Sequence, residues 1–507
     1  MSTDPAATPG TGTTPPSAPV GAPPAHTAQP DWSGYTRTAF GLLIVGWALF
    51  AIAGVMNLSA ADEGDPKHDA KARFLVAYVS GFTYWLSLPI GALALLMIRY
   101  VAKTSWGLLL TRPMEAATRT LPLLVLLFLP ILGAVAYKVE EKTHDGKTTH
   151  AAPLSPYWWS NPAHAETEHD GAEAKGAAHD GHEHKEKDGD HAINKNREKT
   201  EVLGKRMMQK AIATQKAAER HEREESIYGF TSVPGFVLTA VICFGVWGVL
   251  IFFLNKWGKE TSDATDPNKV DAGLEKLKNI SSIGLVIYAI INTAACTLWV
   301  MSLEPGWSST MFPVIFTVNT FLTTLAFCLA MFLLIADKPP FKGHMRPKFQ
   351  LDMATLLLVF TLFWSYTSFS QFMLIWIGNL PEEIPYYLKR SNEHGHRSFW
   401  WFVSAGLIAL HFALPFLLLL FRGIKLHPKR LRVVALYLLV ICGVDVIWWI
   451  APSAPVHNGF PAYLMDVGAV LGVGGVWLLY FVYQLKQRPI FPDNQAFLLP
   501  EGHEHGH

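Results

Sequence analysis

The chain has 507 residues, with 42 Lys+Arg against 41 Asp+Glu and a formal net charge of +1. Hydrophobic residues make up 50% and charged residues only 16%, against about 25% charged in ordinary soluble domains. The charges crowd between apolar runs of about 20 residues, the length that crosses a bilayer core, which excludes a soluble enzyme; near-zero net charge excludes a nucleic-acid binder driven by global charge.

Residues 1–37 are rich in Pro, Ala, Thr and Gly, as in "TPGTGTTPPSAPVGAPPA". Such a composition cannot build a core and reads as a disordered tail. No basic stretch precedes an apolar one there, so it does not read as a secretory signal peptide. Ten apolar runs follow, at 38–58, 74–98, 119–137, 232–254, 281–303, 309–336, 353–379, 399–421, 431–452 and 463–485. Each is long enough to span a membrane as a helix. Spans one to three thus occupy 38–137 and spans four to ten 232–485, with a tail at 486–507. The fold class expected is an all-α membrane protein with ten transmembrane helices.

Between spans three and four lies an insert, 138–231. Its first part, "HAETEHDGAEAKGAAHDGHEHKEKDGDH", is a His/Asp/Glu/Gly tract, and its second, from Lys195 to Glu225, is full of helix formers and reads as a charged surface helix. The tract could bind transition metals weakly. Without fixed ligand spacing it reads as a solvated insert, and so does the terminal "GHEHGH". No metal site is assigned.

Orientation follows from Lys and Arg in the short loops. The tails and the loops on their side carry 21 such residues, among them Arg99, Arg112, Arg119, Lys256 and Arg422. The opposite loops carry only Lys67, Lys71, Arg73, Lys389, Arg390 and Arg397. Both termini are therefore expected in the cytoplasm, and the insert on the outer side.

The cysteines Cys243, Cys296, Cys328 and Cys442 each lie alone in an apolar run. No C-x-x-C or C-x-x-C-H is present, so neither an iron–sulfur cluster nor covalent haem c is encoded. One clearly intramembrane histidine, His411, excludes a dihaem cytochrome b. No H-E-x-x-H, nucleophile elbow or Walker loop occurs.

Ionisable groups inside a bilayer are costly and usually face a cavity or a partner. They are few here: His411 in span eight, Asp445 in span nine, Asp466 at the start of span ten and Asp352 at the cytoplasmic mouth of span seven. Span seven is unusually polar, with Ser365, Tyr366 and Gln371 in "FWSYTSFSQFMLIW". These seven residues form a candidate proton path or quinone pocket, because a buried carboxylate can exchange protons near neutral pH. The competing reading has His411 and the hydroxyls bonding helix carbonyls and Asp466 meeting interfacial water. Outer-side turns add Glu304, in "SLEPGWSSTMFP", and Glu382 and Glu383, in "IGNLPEEIPYYLKR", where Pro381 and Pro385 are expected to end span seven. Trp307, Trp364, Trp376, Trp400, Trp401, Trp448 and Trp449 mostly suit an interfacial aromatic belt.

The run "FWSYTSFSQFMLIWIGNLPEEIPYY" (Phe363 to Tyr387), with the upstream "SLEPGWSSTMFPVIF", resembles the F subunit of bacterial alternative complex III, an integral membrane member of the NrfD-like, polysulfide-reductase-like family. The resemblance extends more weakly across all ten spans. It implies two four-helix bundles flanked by peripheral helices. It also implies a bacterial inner-membrane complex that oxidises menaquinol and reduces a cytochrome c or similar acceptor. This chain would hold no redox centre; haem c and iron–sulfur clusters would sit on partner subunits, beside a sister NrfD-like subunit. Family members often begin span seven with a His-Asp-Leu-Gly-Lys-like string, where this chain reads "QLDMAT" and keeps only Asp352.

The expectation is thus an integral membrane subunit of a quinol-oxidising electron-transfer complex, scaffolding its membrane sector and conducting protons or contacting quinone. Three rivals stand beside it: a purely structural anchor, the anchor of another NrfD-like oxidoreductase, and a stand-alone transporter. For the last, the glycines Gly468, Gly472, Gly474 and Gly475 of span ten are a one-sided hint, more simply read as close helix packing.

Overall fold

The computed structural model describes residues 31–59, 67–102, 109–136, 138–142, 148–153, 157, 232–304, 307–336, 347–381, 383–393, 396–454 and 460–489. The N-terminal tail to residue 30, the His-rich tract, the expected Lys195–Glu225 helix, Glu382 and the C-terminal "GHEHGH" lie outside them. Among the described residues ten helical segments are long and apolar enough to cross a membrane. The chain is an all-helical, multi-pass membrane protein.

In chain order the helices are α1 (Ser33–Ser59), α2 (Lys67–Ala102), α3 (Thr111–Thr118), α4 (Leu121–Ala136), α5 (Val233–Asp263) and α6 (Pro267–Trp299). Then come α7 (Phe312–Ile335), α8 (Pro347–Gly378), α9 (Ile384–Ser391), α10 (Phe399–Leu420, with a π-helical turn at Ile408–Ala413), α11 (Pro428–Ile450) and α12 (Phe460–Lys486). A short antiparallel ribbon, Lys138–Lys142 with Thr148–Pro153, follows α4. Tyr157 then docks back on the bundle, donating its hydroxyl to the Trp299 carbonyl at 2.9 Å.

One set of four spans, α2, α4, α5 and α6, packs mutually, and so does a second, α7, α8, α10 and α11; α2 also meets α7 and α11 across the middle. The central α2 and α7 are the most buried spans, at 94% and 89% of their membrane-length windows. α1 and α12 pair at the periphery and reach the bundles through α2. That pairing is antiparallel and close. A Cβ on Gly46 would stand 2.1 Å from the Gly472 nitrogen, one on Gly468 2.6 Å from the Phe50 nitrogen, and one on Gly475 2.3 Å from the Leu43 nitrogen. Backbones can approach so nearly only where side chains are absent. Gly474 receives the Trp85 ring instead. The glycines of α12 therefore serve helix packing within an unbroken helix.

Several boundaries differ from the expected ones. Span three begins with α3, eight residues all buried, at the place read as a basic loop. Its Arg112 and Glu115 pair with each other at 2.7 Å, which lets charged residues enter the interior. α5 and α6 run past the apolar stretch and turn at Asp266, whose carboxylate accepts from the Asn268 N–H at 3.0 Å and caps α6 ahead of Pro267. After α8 the chain turns at Asn379, with φ 48°. Pro385 starts α9 rather than ending a helix, because its missing N–H costs nothing in a first turn.

Candidate functional site

A cavity of about 800 Å3 lies among α7, α8, α9, α10 and α11, toward the end of the bundle away from the termini. α8 contributes Trp364, Ser368, Gln371 and Ile375, at the four- and three-residue steps of one helix face. Ser365 and Phe372 flank that face. α11 contributes Asp445, Trp448 and Trp449, α9 contributes Tyr386, Tyr387 and Arg390, and α10 contributes Ser404 and Phe412. Most of the wall is apolar or aromatic, with a few converging polar groups, which is the usual chemistry of a small-molecule site of this size.

At its inner wall Asp445 is buried, at 1% exposure. Its Oδ2 accepts a hydrogen bond from Trp364 Nε1 at 2.8 Å. His411 is fully buried beside it, its ring 3.9 Å from that of Trp364. His411 Nδ1 stands 3.7 Å from Asp445 Oδ2 without a hydrogen bond, and Nε2 lies 3.5 Å from Cys442 Sγ. Among the described residues no lysine or arginine pairs with Asp445. Buried Gln371 Oε1, Ser368 Oγ and Tyr386 Oη also lack hydrogen-bond partners. Buried polar atoms are normally satisfied, so the wall presents free donors and acceptors to a ligand.

The position of His411 has a local cause. Leu414 N–H reaches back five residues to the Ala409 carbonyl, widening the turn, and Pro415 supplies no N–H to the turn before it. Tyr437 donates its hydroxyl to the Leu410 carbonyl at 2.6 Å within that turn. Such π-turns are frequent at functional sites.

α9 closes the cavity at the end away from the termini. Arg390 is buried and donates to the carbonyls of Tyr386 (2.8 Å), Trp449 (2.8 Å) and Trp448 (3.3 Å) and to Glu304 Oε1 (3.1 Å). Its guanidinium lies 3.6 Å from the Tyr386 ring centroid, and that ring stacks on Trp307 at 3.9 Å. Lys389 adds a second ion pair to Glu304 at 3.2 Å. Burial alone would raise the Glu304 carboxyl, but Lys389 and Arg390 outweigh it and hold the group below the ordinary carboxylate value. Burial pushes the Tyr386 and Tyr387 phenols up, so both stay neutral donors.

Of the residues singled out in the sequence, Asp445, Gln371 and Ser365 line this one cavity and His411 stands behind it. Tyr366 does not join them: it is 66% exposed on the outer face of α8. Asp466 forms a buried two-pronged ion pair with Arg73 and neither lines the cavity nor touches Asp445. Asp352 lies 19 residues before Gln371 on the same helix, which at 1.5 Å per residue is about 28 Å away. Glu304 supports α9, and Glu383 lies at the start of the same element. Thr367 and Ser370 bond the carbonyls one turn back, as the competing reading expected. Among the described residues no three His, Cys, Asp or Glu side chains gather as metal ligands.

Trp364, Cys442, Tyr386 and Arg390 were not read as site residues. The belt assignment of the tryptophans needs correction: Trp307, Trp364, Trp400 and Trp449 are buried against protein, whereas Trp376, 72% exposed, fits a belt. The helical spacing of Trp364, Ser368 and Gln371 was the available signal. No protein-family model matches the chain, and no curated protein matches it.

Proposed function

We propose that the chain is the membrane subunit of a quinol-oxidising electron-transfer complex of the alternative complex III type, and that quinol binds in the cavity before Asp445. The observation that carries this reading is an apolar, ring-lined cavity ending in a buried carboxylate without a fixed cation, beside an imidazole. A quinol needs apolar walls for ring and tail, and acceptors for two hydroxyl protons. Asp445 is placed to take one, with His411 3.7 Å away to share or pass it on. Gln371 and Ser368 can bond the other oxygen, and once His411 has carried the first proton away Asp445 is free to take the second. Oxidation releases two electrons and two protons; the electrons go to haem c and iron–sulfur centres on partner subunits. With the termini in the cytoplasm, as the charge bias predicts, the cavity lies toward the outer face, and protons leave there.

Asp445→Asn keeps the shape and can still accept from Trp364, so assembly should survive. Quinol oxidation should fall on the order of 100-fold, the size of a lost general base. Unchanged turnover and proton release in the assembled variant would contradict the reading and favour the purely structural anchor.

A further inference from the structure

A second polar cluster, unrelated to the cavity, lies at the termini end of the bundle where α2, α3, α5 and α12 meet. Arg112 donates to Glu115 Oε2 at 2.7 Å and to Ser262 Oγ at 2.6 Å. Arg488 reaches the same Glu115 oxygen at 3.3 Å. One carboxylate is therefore held by two guanidinium groups.

Two further arginines make no ion pair within 4 Å among the described residues. Arg99 is buried, at 6% exposure, and its Nε and Nη1 have no hydrogen-bond partner. Its guanidinium stands 5.1 Å from the Tyr100 ring centroid. The Tyr100 hydroxyl borders Gly258 together with Glu115 Oε1. Arg119 gives Nη2 to the Gln484 carbonyl at 2.8 Å, while its Nε and Nη1 are buried and unpartnered. Arg119 also feels the like charges of Arg488 and Arg112 and, against them, the one carboxylate of Glu115.

A guanidinium stays charged in any protein environment. Burying several such groups around a single carboxylate leaves an uncompensated positive charge, which is strongly unfavourable. The forked N–H groups match a tetrahedral oxyanion better than any other common ligand. Arg99 lies three residues before the end of the span Ala72–Ala102, and Arg119 at the break between the short α3 and the long α4, at the same end of the bundle. That is the depth at which a phospholipid carries its phosphate, and basic pockets between spans bind such headgroups.

We infer that this cluster binds a phosphate group through the unpartnered N–H groups of Arg99 and Arg119, supplied by a phospholipid headgroup or by free phosphate. The test is thermal unfolding and native mass spectrometry of the full-length protein, purified and delipidated in detergent. It is titrated separately with phosphatidylglycerol, with inorganic phosphate and with monogalactosyl diacylglycerol, an uncharged lipid without phosphate. The expected result is binding and a raised melting temperature with a phosphate-bearing ligand and not with the galactolipid. A response to phosphatidylglycerol alone identifies the lipid as the source, and an equal response to phosphate identifies the free ion. Arg99→Gln and Arg119→Gln should each weaken binding about tenfold, the worth of one charge-assisted hydrogen bond. Lys276→Gln, at an exposed position of the same end, should leave it unchanged. Binding by both arginine variants equal to wild type overturns the inference. Should those variants not fold, the absence of any preference for phosphate-bearing ligands over the galactolipid in the wild type overturns it.

Discussion

Asp445 owes its chemistry to what surrounds it: one indole N–H at 2.8 Å, one imidazole nitrogen at 3.7 Å, and an open cavity. The indole bond fixes the carboxylate toward the cavity wall. Trp364→Phe removes that donor and leaves a buried acceptor short of one bond, which should lower stability by about 1–3 kcal/mol. It should also lower quinol turnover; a melting curve and a turnover assay on the same preparation check both. Asp445 and His411 were legible in the sequence because ionisable residues inside apolar runs are rare. Trp364 was not, since a tryptophan near a span's middle and one at its end look alike until the partner, 81 positions away, is known. Asp466 was seen, but its partner Arg73, 393 positions distant, had been counted as a loop charge. A long-range ion pair leaves no local pattern.

At the scale of elements, two contacts decide the architecture. The first is the α1–α12 seam, where Gly46, Gly468 and Gly475 allow backbone to meet backbone. Gly46→Val should destabilise the protein by about 1–3 kcal/mol or more, because the new side chain meets main chain that cannot yield. Gly245→Val, in α5 with open space around it, should leave the melting temperature nearly unchanged. The glycine spacing in α12 was legible, whereas the partner helix was not. The second contact is the clamp of Arg390 and Lys389 on Glu304 that seats α9. The folded-state carboxyl is held below its ordinary value of 4.5, so the unfolded chain takes up the proton first as pH falls. The clamp's contribution is complete above about pH 4.5 and is lost on acidification through the lower folded value. Melting temperature should therefore fall as the medium is acidified below about pH 4.5, and Glu304→Gln should be less stable at neutral pH and flatter in this range. An identical acid profile in the variant would remove Glu304 from this role. α9 escaped the sequence reading because Pro381 and Pro385 mark a break equally well whether or not a short helix follows.

For the whole molecule, ten apolar runs correspond to ten spans, since a bilayer admits few other ways to satisfy the polar N–H and C=O groups of the backbone. Their grouping into two sets of four, with α1 and α12 outside, came from packing that hydropathy does not encode. Sidedness rests on the charge bias of the short loops. With the four buried native cysteines replaced by alanine, cysteines introduced as Lys276→Cys and Arg397→Cys and treated in intact cells with a membrane-impermeant maleimide should be labelled in Arg397→Cys and not in Lys276→Cys; the reverse pattern would invert the topology and move the proposed proton release to the other face. The most direct test of the account is the absorbance spectrum of whatever purifies with the C-terminally tagged chain, recorded before and after adding menaquinol. The account predicts a c-type haem spectrum that becomes reduced by menaquinol in the wild type and far more slowly with Asp445→Asn. A lone, colourless protein, from membranes in which other complexes survive the same detergent, would contradict it.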